Sequence, residues 1–122
     1  MAKIYIVDDS KVSRSLIREA LEEQGHHIVG EASDGEAMVR EYGTLKPDLV
    51  TVDFEMPVMN GFDASARVLA EDNGAKIIMI TSVMRKHEHL KVLKAGVAAV
   101  LSKPFEKEEL IGTVNRVLGK SK

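Results

Sequence analysis

Three aspartates, each placed directly after a short apolar run, are the residues of this chain most able to do chemistry. Asp8 and Asp9 follow the run 4–7, and Asp53 follows the run 49–52. Two adjacent carboxylates repel each other unless a cation or a proton shares them. Carboxylate oxygens at strand ends are typical ligands of a hard cation such as Mg²⁺. The sequence therefore predicts a magnesium site, provided that the fold brings the two strand ends together.

The composition excludes several classes of protein. The 122 residues fit one domain, and 44% apolar with 30% charged residues is typical of a globular chain. A net charge of -2 and few aromatic residues disfavour direct nucleic acid binding. The absence of cysteine excludes a disulfide scaffold, a thiolate zinc site and a cysteine nucleophile. No apolar run approaches the roughly 20 residues of a membrane span and no signal peptide is visible, so we expect a cytoplasmic protein without membrane insertion.

The elements that must position the aspartates alternate between strand and helix patterns. Short apolar runs predict strands at 4–7, 27–32, 49–52, 76–81 and 97–101. Helical spacing predicts helices at 10–24, 36–45, 62–72, 86–95 and 106–118. In the first helix, we expect Ser10 to be the N-cap and one face to point inward. The residues of that face are Val12, Leu16, Ile17, Ala20 and Leu21.

Strands that are rich in Ile, Val and Leu and lack alternation favour a parallel sheet covered on both faces. In such a doubly wound sheet, ligands bind beyond the carboxyl ends of the strands, where the strand order reverses. With an order of 2-1-3-4-5, that point lies between the first and third strands. Asp8, Asp9 and Asp53 would then be neighbours. Thr81, at the end of the fourth strand, and Lys103, after the fifth, would lie at the same edge.

Four segments occur in the order and at the spacing of one known family. They are Val7 to Ser10, Asp53 to Gly61, Ile80 to Ser82, and Lys103 to Phe105. The chain resembles the response-regulator receiver domain of two-component signalling, the chemotaxis type in particular, over essentially its whole length. The resemblance implies a flavodoxin-like, doubly wound sheet of five parallel strands in the order 2-1-3-4-5 with five helices. The chemotaxis receiver is itself a known example of this order. We expect a single receiver domain over 1–122, with 120–122 a frayed tail.

The resemblance implies a phosphoryl-transfer role for the three aspartates. Asp53 would be the nucleophile, because a carboxylate is ionised at neutral pH and can form an acyl phosphate. Its donor would be a phosphohistidine of a histidine kinase or of a phosphotransfer domain. Asp9 and Asp53 would hold Mg²⁺, or Mn²⁺ in its place. Asp8 would assist partly through water, and the backbone carbonyl of Glu55 would complete the protein ligands.

The resemblance also assigns roles to residues at the ends of the fourth and fifth strands. Thr81 would donate its hydroxyl to one phosphoryl oxygen, and Lys103 would bring a mobile positive charge to another. The Lys103–Pro104 peptide bond is expected to be cis, as in the family. Ser82 is a further tuning candidate, although a local backbone partner would also account for it.

Phosphorylation is expected to bias a two-state equilibrium through Thr81 and so switch the face formed by the fourth helix, fifth strand and fifth helix. In the family, an aromatic residue three positions before the lysine often rotates inward when the threonine moves. Here that position is Val100, so the aromatic half of the coupling is absent or replaced. Glu55 is a second departure, and we expect it to tune the lifetime of the acyl phosphate. The fourth-helix region carries four basic residues, and these predict an acidic downstream partner. They are Arg85, Lys86, Lys91 and Lys94.

Other interpretations stay open at this level. The chain could serve as a phosphorelay intermediate or be an excised receiver of a larger regulator. An aspartyl-phosphate-forming phosphatase would use the same residues, but such an enzyme usually carries an aspartate where this chain has Glu55. A flavodoxin-like cofactor binder would need a phosphate-binding loop where Asp8 and Asp9 repel phosphate. We therefore expect a phosphoacceptor switch and not an enzyme.

Overall fold

The computed structural model describes residues 1–82 and 86–119, except for the side chain of Lys86. Strands and helices alternate along this part of the chain. The strands are β1 (Lys3–Val7), β2 (His27–Ala32), β3 (Leu49–Asp53), β4 (Ile77–Thr81) and β5 (Ala99–Ser102). The helices are α1 (Lys11–Glu23), α2 (Gly35–Leu45), α3 (Gly61–Glu71), α4 (Lys86–Lys94) and α5 (Lys107–Val117). Arg85 and the tail 120–122, which the sequence analysis singled out, lie outside the described residues.

The described strands form one parallel sheet in the order β2-β1-β3-β4-β5. The order reverses between β1 and β3, so the carboxyl ends of these two strands border one crevice. This is the flavodoxin-like, doubly wound arrangement with five helices, and the predicted fold class is confirmed. The predicted element bounds agree with the observed ones to within two residues, and differences of this size are usual at element ends. Within the described ranges, no helix has the length and apolar character that crossing a bilayer requires.

The sheet has two buried faces, because successive side chains of a strand point to opposite sides. The α1/α5 face is the side that α1 and α5 cover, and the α2–α4 face is the side that α2, α3 and α4 cover. On the α1/α5 face, strand residues such as Ile4, Ile6, Leu49, Ile78 and Ile80 pack with Ile17, Leu21, Leu110 and Val114. On the α2–α4 face, Tyr5, Val7, Val50, Val52, Ile77 and Met79 pack with Met38, Ala64, Val68 and Val92.

The start of α1 is as predicted, but its buried face is narrower. The Oγ of Ser10 accepts a hydrogen bond from the Ser13 amide at 3.2 Å, which caps the helix. Ile17, Ala20 and Leu21 are buried. The prediction that Val12 and Leu16 point inward is wrong, since they are 71% and 62% exposed. At about 100° per residue, Leu16 and Val12 are rotated by about 100° and about 140° from Ile17 around the helix, whereas Ala20 and Leu21 lie within about 60° of it.

Candidate functional site

The three predicted aspartates lie together at the carboxyl edge of the sheet. One carboxylate oxygen from each of Asp8, Asp9 and Asp53 can be chosen so that all three lie within 4.8 Å of one another. Asp8 and Asp53 are buried, whereas Asp9 is exposed. In sequence Asp53 is far from the Asp8–Asp9 pair, and the parallel pairing of β1 with β3 brings them together. Three close carboxylate oxygens form a donor set that suits a hard divalent cation.

Lys103 supplies a positive charge to this cluster. Its Nζ lies 3.3 Å from Oδ2 of Asp8 and 3.6 Å from Oδ2 of Asp53. Burial raises the pKa of the Asp53 carboxyl; Lys103 opposes this rise, and Asp8 adds to it. Three carboxylates against one ammonium group leave an excess of two negative charges. The residues present therefore fit a divalent cation both in ligand type and in charge.

Backbone contacts fix Asp8 at the end of β1. Its amide donates to the carbonyl of Ala32 at 2.9 Å. Its Oδ1 accepts from the Ser10 amide at 2.8 Å, in the same turn that begins α1. The guanidinium of Arg14 donates to its backbone carbonyl. The Asp8 side chain therefore enters the site from a backbone held by β2 and by α1.

Close backbone packing holds the loop that follows Asp53. The amide of Phe54 donates to Ile80 O at 2.8 Å, and the amide of Gly61 donates to Phe54 O at 2.8 Å. A Cβ atom at Gly61 would lie only 2.2 Å from the carbonyl oxygen of Asp53, so a side chain does not fit there. The amide of Glu55 lies 3.4 Å from Oδ1 of Asp53, to which it donates. The loop thus returns to β3 and offers a backbone donor to the Asp53 carboxylate.

The other predicted site residues occupy the neighbouring strand ends. Thr81 is buried at the end of β4, and its carbonyl accepts from the Lys103 amide at 2.8 Å. Ser82 and the side chain of Glu55 are exposed. The predicted cis peptide bond between Lys103 and Pro104 is confirmed. The sheet therefore places Thr81 and Lys103 at the same edge as the aspartates.

Val100 lies away from this edge, on the α2–α4 face. It is half-buried, packs against the core of that face, and pairs with Met79 in the parallel register of β4 and β5. Thr81 is two residues beyond Met79, so Thr81 and Val100 share one face of the sheet. Val100 therefore lies on the same face of the sheet as Thr81 and packs against the core that contains Val92 of α4, with no aromatic ring at this position.

Two surfaces beside the site carry exposed apolar side chains. An open groove between α1 and the start of α5 is lined by Leu16, Pro104 and Phe105, and it reaches Ser82 and Lys103 at the rim of the site. This groove was not predicted from the sequence, because the helical spacing placed Leu16 on the inward face of α1. On α4, Leu90 and Leu93 are 51% and 38% exposed. Lys91 and Lys94 are exposed on the same helix, and Lys91 Nζ lies 5.2 Å from the ring centroid of Phe62.

Comparison with known proteins establishes the family. The response regulator receiver domain profile matches residues 4–115, and the chain belongs to this family. It is 41% identical over 119 residues to the protein CcdB of Bacillus subtilis, covering 98% of this chain and 99% of that protein. It is 40% identical over 119 residues to the chemotaxis protein CheY of Halobacterium salinarum, covering 97% and 98% of the two chains. The corresponding values for CheY of Thermotoga maritima are 34% over 115 residues, 94% and 96%.

Solved structures agree with this assignment. A chain of the CheX-CheY-BeF3-Mg²⁺ complex from Borrelia burgdorferi superposes with a TM-score of 0.92 at 27% identity, covering 94% of this chain and 87% of that chain. A LuxR-family two-component response regulator from Aurantimonas gives a TM-score of 0.92 at 28% identity, covering 98% and 86%. The predicted resemblance to single-domain receivers of the chemotaxis type is thereby confirmed.

Proposed function

We propose that this chain is a single receiver domain that works as a phosphorylation-dependent switch, with Asp53 as the phosphoacceptor. The observation that carries the proposal is the convergence of Asp8, Asp9, Asp53 and Lys103 at one edge of the sheet. A carboxylate oxygen of Asp53 attacks the phosphorus of a phosphohistidine. The new O–P bond forms as the N–P bond breaks, and the bonding electron pair returns to the imidazole nitrogen. The product is an acyl phosphate on Asp53.

Asp8, Asp9 and Asp53, with the backbone carbonyl of Glu55, would hold Mg²⁺, or Mn²⁺ in its place. When bound, the ion neutralises charge that builds up on the phosphoryl oxygens. The cluster fits this ion because three close carboxylate oxygens carry more negative charge than Lys103 balances. Asp9 is exposed, which makes it accessible to an ion and its bound waters.

Lys103 and Thr81 would contact the transferred group. The Nζ of Lys103 lies within 3.6 Å of Asp53 Oδ2, so a small movement of the ammonium group brings it to a phosphoryl oxygen. Thr81 ends the neighbouring strand and would donate its hydroxyl to another phosphoryl oxygen. These two donors stabilise the charge of the transferred group by preorganised hydrogen bonds.

The apolar groove beside α1 is a suitable surface for the phosphodonor. A phosphohistidine must come within bonding distance of Asp53, so its protein must cover the rim of the site. The groove reaches that rim at Lys103 and Ser82 and exposes Leu16 beside Pro104 and Phe105. An apolar helix of a histidine kinase or phosphotransfer domain would fit such a groove. Leu16→Ser is expected to slow transfer from the protein donor but not from a small phosphodonor.

The readout would pass from Thr81 through the α2–α4 face to the α4–β5–α5 surface. Thr81 and Val100 share this face, and Val100 packs in the same core as Val92 of α4. The exposed part of α4 combines Leu90 and Leu93 with basic side chains. A downstream protein that binds there is expected to present both acidic and apolar side chains.

The proposal is tested by incubation with Mg²⁺ and acetyl phosphate, followed by mass spectrometry of the peptide that contains Asp53. We expect a phosphoryl adduct on Asp53 that is absent from Asp53→Asn and reduced in Asp9→Asn. The adduct should also form from a phosphorylated histidine kinase domain. Absence of any adduct would refute the proposal. Repeated turnover of small phosphoesters would instead favour an aspartyl-phosphate phosphatase.

Glu55 is proposed to set how long the acyl phosphate survives. Its amide contacts the Asp53 carboxylate, and its side chain is exposed at the mouth of the site. A carboxylate there can repel the phosphoryl group or order the waters beside it. The hydrolysis rate of the acyl phosphate is expected to differ between wild type and both Glu55→Ala and Glu55→Asn. Equal rates in all three proteins would exclude the idea.

A further inference from the structure

We infer that Arg14 is a positioning residue that holds the Asp8–Asp9 corner in its metal-binding geometry, an inference that rests on the proposed function. Arg14 lies on the first turn of α1, and its side chain is only 17% exposed. Its Nη1 donates to the backbone carbonyl of Asp8. Its Nε donates to Oε1 of Glu31, on β2, at 3.0 Å. One guanidinium thus links the strand end that carries two metal ligands to the neighbouring strand.

The bond to the Asp8 carbonyl matters because this carbonyl belongs to the peptide that joins Asp8 to Asp9. A peptide unit is planar, so fixing the direction of its carbonyl fixes the amide and the Cα of Asp9 as well. The Asp8 side chain has its own contacts with Ser10 and Lys103. Among the described residues, the Asp9 carboxylate has no hydrogen bond or ion pair of its own. Its position therefore depends on the backbone that Arg14 holds.

Glu31 fixes the Arg14 guanidinium through a different nitrogen from the one that contacts Asp8. Its second oxygen, Oε2, accepts from Nε of Arg18 at 2.6 Å, and Arg18 also pairs with Glu22 at 2.9 Å. Glu31 is therefore held by two arginines, and it keeps the Arg14 guanidinium in one orientation. A guanidinium can donate in two fixed directions at once, whereas a lysine ammonium cannot reproduce this fork.

The charge of Arg14 and its contact with Asp8 predict opposite effects of its removal on the affinity for Mg²⁺. A positive charge near a cation site disfavours the cation, so its loss by Coulomb's law alone would strengthen Mg²⁺ binding. Loss of a group that orients a metal ligand weakens binding, typically by 10–100-fold. The sign of the change therefore separates the two roles. Arg18 offers a matched control, because Arg18→Met removes the same charge and a bond to the same Glu31 without touching Asp8.

The test is a Mg²⁺ titration of the full chain, in which the NMR signal of the Asp9 backbone amide monitors binding. It is carried out at a temperature at which each protein is folded. We expect Arg14→Met to bind Mg²⁺ about tenfold more weakly than wild type and Arg18→Met to stay within about twofold. Arg14→Lys, which keeps the charge but not the fork, should also bind more weakly. The Asp9 amide should shift in Arg14→Met before any ion is added.

Several outcomes would overturn the inference. Binding in Arg14→Met that equals or exceeds the wild-type affinity would do so, as would full recovery in Arg14→Lys. If Arg14→Met does not fold, the comparison of Arg14→Lys with Arg18→Met decides the question alone. A wild-type chain that binds no Mg²⁺ would refute the proposed metal site itself. Failure of the proposed function and failure of this inference are therefore distinguishable.

Discussion

The two faces of the sheet end in different kinds of residue at the carboxyl edge. On the α1/α5 face, the alternation of β1 and β3 continues into the carboxylates Asp8 and Asp53, which Lys103 joins. On the α2–α4 face, the alternation of β4 ends in Thr81, and Val100 follows on β5. One face thus ends in charges suited to holding a cation and a phosphoryl group. The other ends in a hydroxyl backed by apolar packing.

The two faces also differ in how many partly buried apolar side chains surround their cores. The core of the α2–α4 face is surrounded by many partly buried apolar side chains, among them Met56, Met59 and Val100. Within the described ranges, the core of the α1/α5 face has three, namely Phe105, Val117 and Leu118. Among the described residues, the cluster of carboxylates therefore adjoins the face with fewer partly buried neighbours, whereas Thr81 and Val100 lie on the face with more.

The largest expected effect concerns the close approach of α3, on the α2–α4 face, to the backbone of β3, which carries the carboxylate of the other face. Gly61 begins α3 on the α2–α4 face, yet its Cβ position lies 2.2 Å from the Asp53 carbonyl oxygen. Gly61→Ala is expected to lower the free energy of unfolding by about 2–4 kcal/mol, because backbone must move to admit the methyl group. Urea unfolding measures the change. Gly112→Ala is the control, since outside the neighbouring turns of α5 no atom of the described residues lies within 4 Å of that Cβ position, and alanine favours the helix by up to about 1 kcal/mol. Equal stabilities of the two variants would contradict the prediction.

The next effect separates charge from packing on the α1/α5 face. Burial raises the pKa of Asp53 in the folded chain, Lys103 only partly opposes it, and Asp8 adds to it. A raised folded pKa means that stability falls as pH rises from below the unfolded pKa through the folded pKa. Without metal at pH 7, Asp53→Asn is therefore expected to raise the free energy of unfolding by about 1–2 kcal/mol, because it removes the cost of burying an ionised carboxylate, to which Asp8 adds.

This gain should have two signatures in urea unfolding. It should vanish in acid below the unfolded pKa, where the wild-type carboxyl is protonated in both states. It should also shrink in excess Mg²⁺, which stabilises the folded wild type by binding to it. A gain that persisted unchanged in acid would show that its source is not the ionised carboxylate.

A smaller effect tests the apolar part of the α1/α5 face. Thr51 lies on β3 between Ile6 and Ile78, and its Oγ1 is buried without a hydrogen-bond partner among the residues that the structure describes. Thr51→Val is expected to raise the free energy of unfolding by about 1 kcal/mol, because it removes an unsatisfied hydroxyl at nearly constant volume. In Thr113, by contrast, the hydroxyl donates to Glu109 O at 2.8 Å. Thr113→Val should therefore be destabilising under the same measurement, and a common sign for both variants would contradict the argument.

The smallest effect concerns Glu31, which braces the site from outside the core. Burial alone would raise its pKa, but hydrogen bonds from Arg18 and Arg14 outweigh burial and lower the pKa. A lowered folded pKa means that the contribution is present above the unfolded pKa and is lost as pH falls through the folded pKa. Glu31→Gln should lower the free energy of unfolding at pH 7 by at most about 1 kcal/mol, as for other part-exposed pairs. In acid the free energies of unfolding of the wild type and Glu31→Gln should become equal. A difference that stayed constant with pH would exclude an ionic origin of the effect.

Much of the fold could be predicted because the strand runs and helix starts are local signals. The Asp8–Asp9 pair after an apolar run, and the Ser10 cap beside it, belong to this kind. The strand order required the family resemblance, since no local pattern states which strands are neighbours. The burial of α1 was misjudged because a helical period tolerates Leu16 beside Ile17 until neighbouring elements are placed.

The tertiary contacts of the site were beyond the sequence for a related reason. Arg14 meets Glu31 only through the pairing of β1 with β2, whose register shifts between Ile4 and Tyr5. Such a shift leaves no periodic signal. Likewise, the missing partner of the Thr51 hydroxyl depends on which side chains surround it, and the sequence alone does not state this.

The ion pair between Lys103 and Asp8 joins residues 95 positions apart. The contact joins the end of β1 to the segment after β5, so it closes a loop of the chain that contains β2, β3 and β4. Closing so long a loop costs conformational entropy, which the pairing of the intervening strands must offset first. The charged site is therefore a late product of folding, since it can form only once the sheet has brought its two ends together.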